Sequence, residues 1–223
     1  MDHLEPPVVA AFDLDGTLTD GGSVFDWLSH VAGHSHARRA VLALGGPLVL
    51  GALRSGHYAD DAKERLFQAL LAGRDLIDVS ERSRRFALEH LSERSRPGIV
   101  ARLAWHLDQG HDVVVVSASP QLYVDVVAET LEAHGALGTR LAVDPQGRLT
   151  GRYAGKNCRG QEKLRRLDEW IRSRQYARDP EIYAYGNSRG DRRLLAGATH
   201  PFDVGKLGRL GALRRYPRFE SDE

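Results

Sequence analysis

The sequence predicts an α/β fold, a Rossmann-like parallel sheet flanked by helices with a helical cap inserted after the first strand. Three observations carry this expectation. Short apolar runs at residues 8–12, 113–116 and 182–185 each stop at a polar turn rich in Gly, Ser or carboxylates. The middle run is valine throughout, without polar alternation, which marks a strand buried on both faces. The tract between the first two runs carries apolar residues at helical spacing and is far longer than a compact crossover needs.

The elements follow in order. Val8-Val9-Ala10-Ala11-Phe12 is the first strand, running into Asp13-Leu14-Asp15-Gly16-Thr17. Residues 24–31, 59–71 and 79–91 show three- and four-residue apolar spacing and are expected to be helices of the cap. Helical patterns also cover 121–134 and 161–174, and 147–153 reads as a small hairpin or turn. Residues 141–143 and 202–204 are weaker strand candidates. The expected division is a core of residues 1–19 and 97–223 with a cap of residues 20–96. Ligands of open parallel sheets bind at the carboxyl ends of strands, so the turns after the three strong strands should converge on one site.

Composition narrows the function classes. The 223 residues hold 31 Lys and Arg against 30 Asp and Glu, a net charge of +1 that leaves no nucleic-acid footprint. One cysteine, Cys158, excludes an internal disulfide framework and a multi-cysteine zinc site. Residues 1–7 lack the pattern of a secretory signal, and a cytoplasmic location is expected. The uncharged apolar segment 40–53, broken by Gly45-Gly46-Pro47, is shorter than the roughly 20 residues a membrane-spanning helix needs. A cap helix kinked at Pro47 and an interfacial segment flanked by Arg38, Arg39 and Arg54 both remain open.

The chemistry centres on Asp13-x-Asp15. Two carboxylates at a strand end can share a site, one attacking phosphorus and the other serving as general acid and base. Paired acids also occur in ordinary turns, so the wider string FDLDGTLT carries more weight. Ser117, at the end of the second strand, offers a hydroxyl, and the backbone N–H groups behind it, Ala118 first, would open a helix N-terminus that favours anions. Ser117 or Ser119 could instead simply cap that helix. Lys163 stands at the start of a helix, where a cation opposes the helix dipole unless it meets an anion. The bland alternative is a solvated surface charge. Gly186-Asn187-Ser188-Arg189-Gly190-Asp191 closes the third strand, and its Asn187 and Asp191 offer oxygen ligands suited to magnesium, although such residues are also common turn formers.

Taken in order, FDLDGTLT, VVVVSAS, CRGQEK and YGNSRGDRRLL resemble the four motifs of the haloacid dehalogenase-like superfamily, in the branch that contains phosphoserine phosphatase. The resemblance covers essentially the whole chain. It implies a magnesium-dependent phosphatase with Asp13 as nucleophile, Asp15 as acid/base, and phosphate contacts at Ser117, Ala118 and Lys163. Magnesium would be held near Asp13, Asp15, Asn187 and Asp191, with Asp15 contributing its backbone carbonyl. The family usually has Asp where this chain has Asn187, which removes one negative charge from the metal shell. A catalytically weak binder of phosphorylated ligands is therefore the alternative. Phosphoserine phosphatases carry a Glu early in the cap, and residues 17–58 here contain none, which argues against phosphoserine. The apolar segment and the CRGQEK string are similar to bacterial phosphatidylglycerophosphate phosphatases. The expected substrate is a small soluble phosphomonoester or, alternatively, a lipid phosphate. The latter brings peripheral contact with the inner face of the membrane through Lys206, Arg209, Arg214, Arg215 and Arg218.

Overall fold

The computed structural model describes residues 6–45, 57–206 and 211–220. Strand β1 (Val8–Phe12) is followed by helices α1 (Val24–Ala32), α2 (His34–Ala43), α3 (His57–Leu71) and α4 (Leu76–Arg94). Helix α5 (Pro97–Asp108) leads into β2 (Asp112–Pro120), and α6 (Gln121–Thr130) leads into β3 (Gly135–Thr139). Strands β4 (Leu141–Val143) and β5 (Leu149–Tyr153) form an antiparallel pair. The chain then runs through α7 (Gln161–Ser173), β6 (Glu181–Gly186), α8 (Arg192–Ala196) and β7 (His200–Asp203). The main sheet is parallel, in the order β3-β2-β1-β6-β7. From β1 the chain winds outward to β2 and β3, then returns to the other side of β1 for β6 and β7. The winding reverses between β1 and β6, and a crevice opens at such a switch point beyond the strand ends.

The valine run serves two layers. Ala10, Phe12, Val113 and Val115 pack into one apolar cluster, and Val9, Ala11, Val114 and Val116 into the other. All eight are fully buried, which explains a strand sequence with no polar alternation. Across β1, β6 and β7 a ladder of rings stiffens the first layer: Phe12 stacks on Tyr185 at 4.4 Å, and Tyr185 on Phe202 at 5.1 Å.

His106 of α5 is buried against this ladder, with Nε2 2.9 Å from the Tyr185 hydroxyl and Nδ1 2.8 Å from Nδ1 of His111. Burial, with help from His111 and Arg102, pushes its pKa down to about 3. A histidine depressed in the folded state binds its proton more readily when unfolded. Its contribution is therefore complete above about pH 6.5 and is lost as pH falls towards 3. This group alone is expected to take about 1 to 2 kcal/mol from the unfolding free energy between pH 7 and pH 5. Urea titrations of the wild type and of His106→Gln at the two pH values check this: the wild type should lose about that much more than the variant.

Several elements depart from the sequence-based expectation. The helix expected over 121–134 ends at Thr130, and β3 follows where no strand was foreseen. Residues 141–143 form a strand, but they pair with β5 outside the main sheet. The reading of 147–153 as a hairpin and of 202–204 as a strand agrees with β5 and β7 to within a few residues. Of the apolar segment 40–53, residues 40–43 end α2, whereas 46–53 and Pro47 lie outside the described residues. No helix among the described residues is long and apolar enough to cross a membrane.

Two contacts tie the inserted helices to the sheet domain. Residues 18–20 and 94–96 run side by side: Asp20 N donates to Arg94 O and Arg96 N to Leu18 O, both at 2.8 Å. The β4–β5 hairpin rests on α3. At Gly151, with φ +74°, an added Cβ would lie 2.4 Å from Gln68 Cα, so only glycine allows this approach. The Tyr153 N–H donates to Glu64 Oε1 at 2.8 Å.

Candidate active site

The sheet delivers Asp13 to the crevice directly. Its N–H continues the β1–β6 ladder by donating to Tyr185 O at 3.0 Å. The chain then turns at Gly16, whose φ of +81° suits glycine. Thr17 Oγ1 donates to Asp13 Oδ2 at 3.0 Å, and Lys163 Nζ donates to Asp13 Oδ1 at 2.5 Å. Arg96 braces the turn from below, giving hydrogen bonds to the carbonyls of Gly16, Thr17 and Val204.

Lys163 reaches a second carboxylate, Asp191 Oδ1, at 2.6 Å. At 2% exposure it is no solvated surface charge; the cation at the start of α7 meets two buried anions. Asp191 Oδ2 is held by the N–H groups of Asn187 and Ser188 and by the Ser188 hydroxyl. One ammonium between two carboxylates leaves the trio with an excess negative charge. Burial, and then the Asp191 charge, push the Asp13 carboxyl up to about 7, while Lys163 pulls the other way. Burial would also raise Asp191, but Lys163 and Ser188 hold it low.

Asp15 has both oxygens engaged. Oδ1 accepts the Ser23 N–H at 2.7 Å, and Oδ2 accepts the Ser119 hydroxyl. Ser117 is buried, and its hydroxyl accepts the Ser119 N–H at 3.0 Å, which leaves its hydrogen to donate to an anion. The expectation that a helix opens immediately behind Ser117 needs correction. Strand β2 runs on to Pro120, and neither serine caps α6, because both hydroxyls face the crevice network instead. The Ala118 carbonyl accepts from Lys63 Nζ at 2.7 Å and from Thr139 Oγ1 at 2.6 Å. Lys63 comes from α3, and its burial brings its pKa down to about 8, against the pull of Asp15 and Asp60.

Asn187 closes the site. Its Nδ2 donates to the Asp15 carbonyl at 3.1 Å, and its Oδ1 is buried with no hydrogen-bond partner among the described residues. A buried orphan oxygen is costly, which makes it a pointer to something that would satisfy it. Exchanging the two ends of the amide would place an oxygen about 3 Å from that carbonyl, close to the spacing of neighbouring oxygens around magnesium. No group of three or more His, Cys, Asp and Glu side chains among the described residues is arranged to hold a metal. The donors here are different: two carboxylates, a backbone carbonyl and an amide. That oxygen set, with one excess negative charge, fits a magnesium ion.

The structure thus brings Asp13, Asp15, Ser117, Lys163, Asn187 and Asp191 to one crevice, from four distant stretches of chain. Sequence reasoning missed the supporting residues Ser23, Lys63, Arg96, Ser119 and Tyr123. Thr17, inside FDLDGTLT, and Ser119, the last residue of VVVVSAS, carried a local signal.

Comparison with known proteins gives this arrangement its class. The family model of haloacid dehalogenase-like hydrolases matches residues 10–196, and the chain belongs to that family. Its relatives and structural neighbours include phosphatases, phosphoserine phosphatases among them, which supports a phosphoric monoester hydrolase. It is 33% identical to protein CicA of Caulobacter vibrioides over 85% of this chain and 82% of that protein. It is 24% identical to a histidinol-phosphatase of Neisseria meningitidis, over 88% of this chain and 89% of that one. Among solved structures, a phospho-aspartyl intermediate analogue of phosphoserine phosphatase superposes with a TM-score of 0.63 at 18% identity, covering 90% of this chain and 87% of that one.

Proposed function

We propose that the chain is a magnesium-dependent phosphatase that hydrolyses a small phosphate monoester through an aspartyl-phosphate on Asp13. The observation that carries this reading is the bridge from Lys163 to Asp13 and Asp191, which sets a buried nucleophile beside a cation at the switch point of the sheet. Asp13 attacks phosphorus while Lys163 and the Ser117 hydroxyl meet the charge on the transferring group. Asp15 gives its proton to the departing oxygen, then takes one from the water that releases phosphate from Asp13. Asp13, the Asp15 carbonyl, Asn187 and Asp191 would hold magnesium, which would neutralise phosphate charge. Residues 20–96 serve as the cap that selects the substrate above a core of residues 1–19 and 97–223.

Hydrolysis of p-nitrophenyl phosphate with and without magnesium tests the reading. Turnover is expected to need the metal, and Asn187→Asp should lower the magnesium concentration for half-maximal rate by about tenfold, since it adds a full charge to the donor set. Turnover that is indifferent to magnesium, in either protein, would sink the metal assignment. An inert wild type that stays inert as Asn187→Asp would favour a phospho-ligand binder.

A further inference from the structure

We propose that Ser119, Tyr123 and Ser23 are positioning residues for proton transfer by Asp15, joined in a hydroxyl chain that spans the seam between the cap and the core. The inference rests on the reading of Asp15 as the acid and base. Ser119 spends its single hydrogen on Asp15 Oδ2, so towards its other neighbours it can only accept. Ser23 Oγ lies 3.5 Å from Ser119 Oγ and 2.5 Å from the Tyr123 hydroxyl. A consistent direction runs from Tyr123 to Ser23, from Ser23 to Ser119, and from Ser119 to the carboxyl. The backbone N–H of Ser23 holds the other carboxyl oxygen at 2.7 Å. With one donor on each oxygen, the plane of the carboxyl is fixed.

Two features set this chain apart from ordinary core satisfaction. Ser23 stands at the N-cap position of α1 with a helical backbone (φ −99°, ψ −17°) and makes no capping bond. Its hydroxyl lies against the Tyr123 hydroxyl instead, at 2.5 Å. Secondly, the three residues are buried to 1% exposure or less and belong to different bodies: Ser23 to the insert, Ser119 and Tyr123 to the core. The Tyr123 ring packs between Trp27 of α1, at 5.7 Å, and Phe86 of α4, at 5.4 Å. A hydroxyl held at that seam is in place only when the inserted helices are seated. Asp15 therefore receives its full set of partners from a closed cap.

The step that depends on this geometry is the transfer of the Asp15 proton to the departing oxygen, as its bond to phosphorus breaks and the bond from Asp13 forms. A departing p-nitrophenolate is stable without a proton, whereas a departing phenolate needs one far more. The experiment measures kcat/KM, which reports phosphoryl transfer to Asp13, for p-nitrophenyl phosphate and phenyl phosphate in the presence of magnesium. Ser119→Ala and Tyr123→Phe are each expected to lose at least about tenfold more on phenyl phosphate than on p-nitrophenyl phosphate. Ser119→Thr, which restores a hydroxyl, should return the ratio of the two esters to the wild-type value. Equal losses on both esters, or none, would overturn the inference, because a merely structural defect does not read the leaving group. Asp15→Asn provides the reference. A skewed loss there with unskewed losses in the other variants rejects the positioning chain alone. An unskewed loss in Asp15→Asn rejects the acid role itself, and the chain with it.

Discussion

Replacing Asp13 with Asn is expected to remove turnover, by on the order of 10⁴-fold or more, while the chain keeps its fold. An amide is not a competent nucleophile, so the covalent step has no starting point. The stability side has a definite sign. Asn can turn its oxygen to the Lys163 ammonium and donate its amide N–H to the Thr17 hydroxyl, and Lys163 remains neutralised by Asp191 at 2.6 Å. The substitution removes the excess negative charge of the buried trio. Without magnesium, the melting temperature should therefore hold or rise. A second readout ties the chemistry to this oxygen. Beryllium fluoride, which mimics an aspartyl-phosphate, should inhibit the wild type and fail to bind Asp13→Asn. Inhibition or binding that persists in the variant would place the nucleophile elsewhere.

Lys163→Ala carries the next largest effect, and it falls on stability and rate together. Lys163 is the only ion-pair partner recorded for Asp13 and for Asp191 among the described residues. Taking it away leaves two buried carboxylates facing each other, and breaking a buried pair in this way costs about 3 to 5 kcal/mol. Turnover should fall by roughly 10² to 10³-fold, because a preorganised cation no longer meets the charge on the transferring group. Lys163→Met, which keeps the stem and drops the charge, separates packing from electrostatics. Denaturant midpoints and kinetics of the two variants should agree closely. Near-normal kinetics in both would return Lys163 to a purely structural role.

The parts of this architecture that were legible are those where one local pattern had one physical meaning. The valines 113–116 announced a strand buried on both faces, and the structure buries all four. Lys163 was legible through its order behind the other motifs, while the cation in the first turn of a helix only hinted at an anion, and two were there. β3 was not legible. Its five residues, Gly135-Ala136-Leu137-Gly138-Thr139, include two glycines and no aliphatic β-branched run. Packing demands the first glycine, where an added Cβ would lie 2.5 Å from Trp170 Nε1, and the sequence alone gives no hint of that neighbour. The partners of Asp15 were hidden by distance along the chain. Ser23 lies eight residues away in no motif, and Ser119, more than a hundred away, closes VVVVSAS without any sign that it faces Asp15. Lys63 and Arg96 were equally silent, since a half-buried arginine holding three carbonyls looks, in sequence, like any surface arginine.

The paired segments 18–20 and 94–96 have a mechanical consequence. Two separate linkers would let the inserted helices swing and rotate freely over the crevice. Hydrogen-bonded to each other, they form a short two-stranded ribbon, which restrains how the inserted helices could move over the sheet ends. Arg96 sits in that ribbon and grips the carbonyls of Gly16 and Thr17, within a few residues of Asp13. On the proposed reading of the insert as a cap and of Asp13 as nucleophile, a movement of this ribbon would pull on the nucleophile's own turn, so that opening the cap and disarming the carboxylate would be one movement.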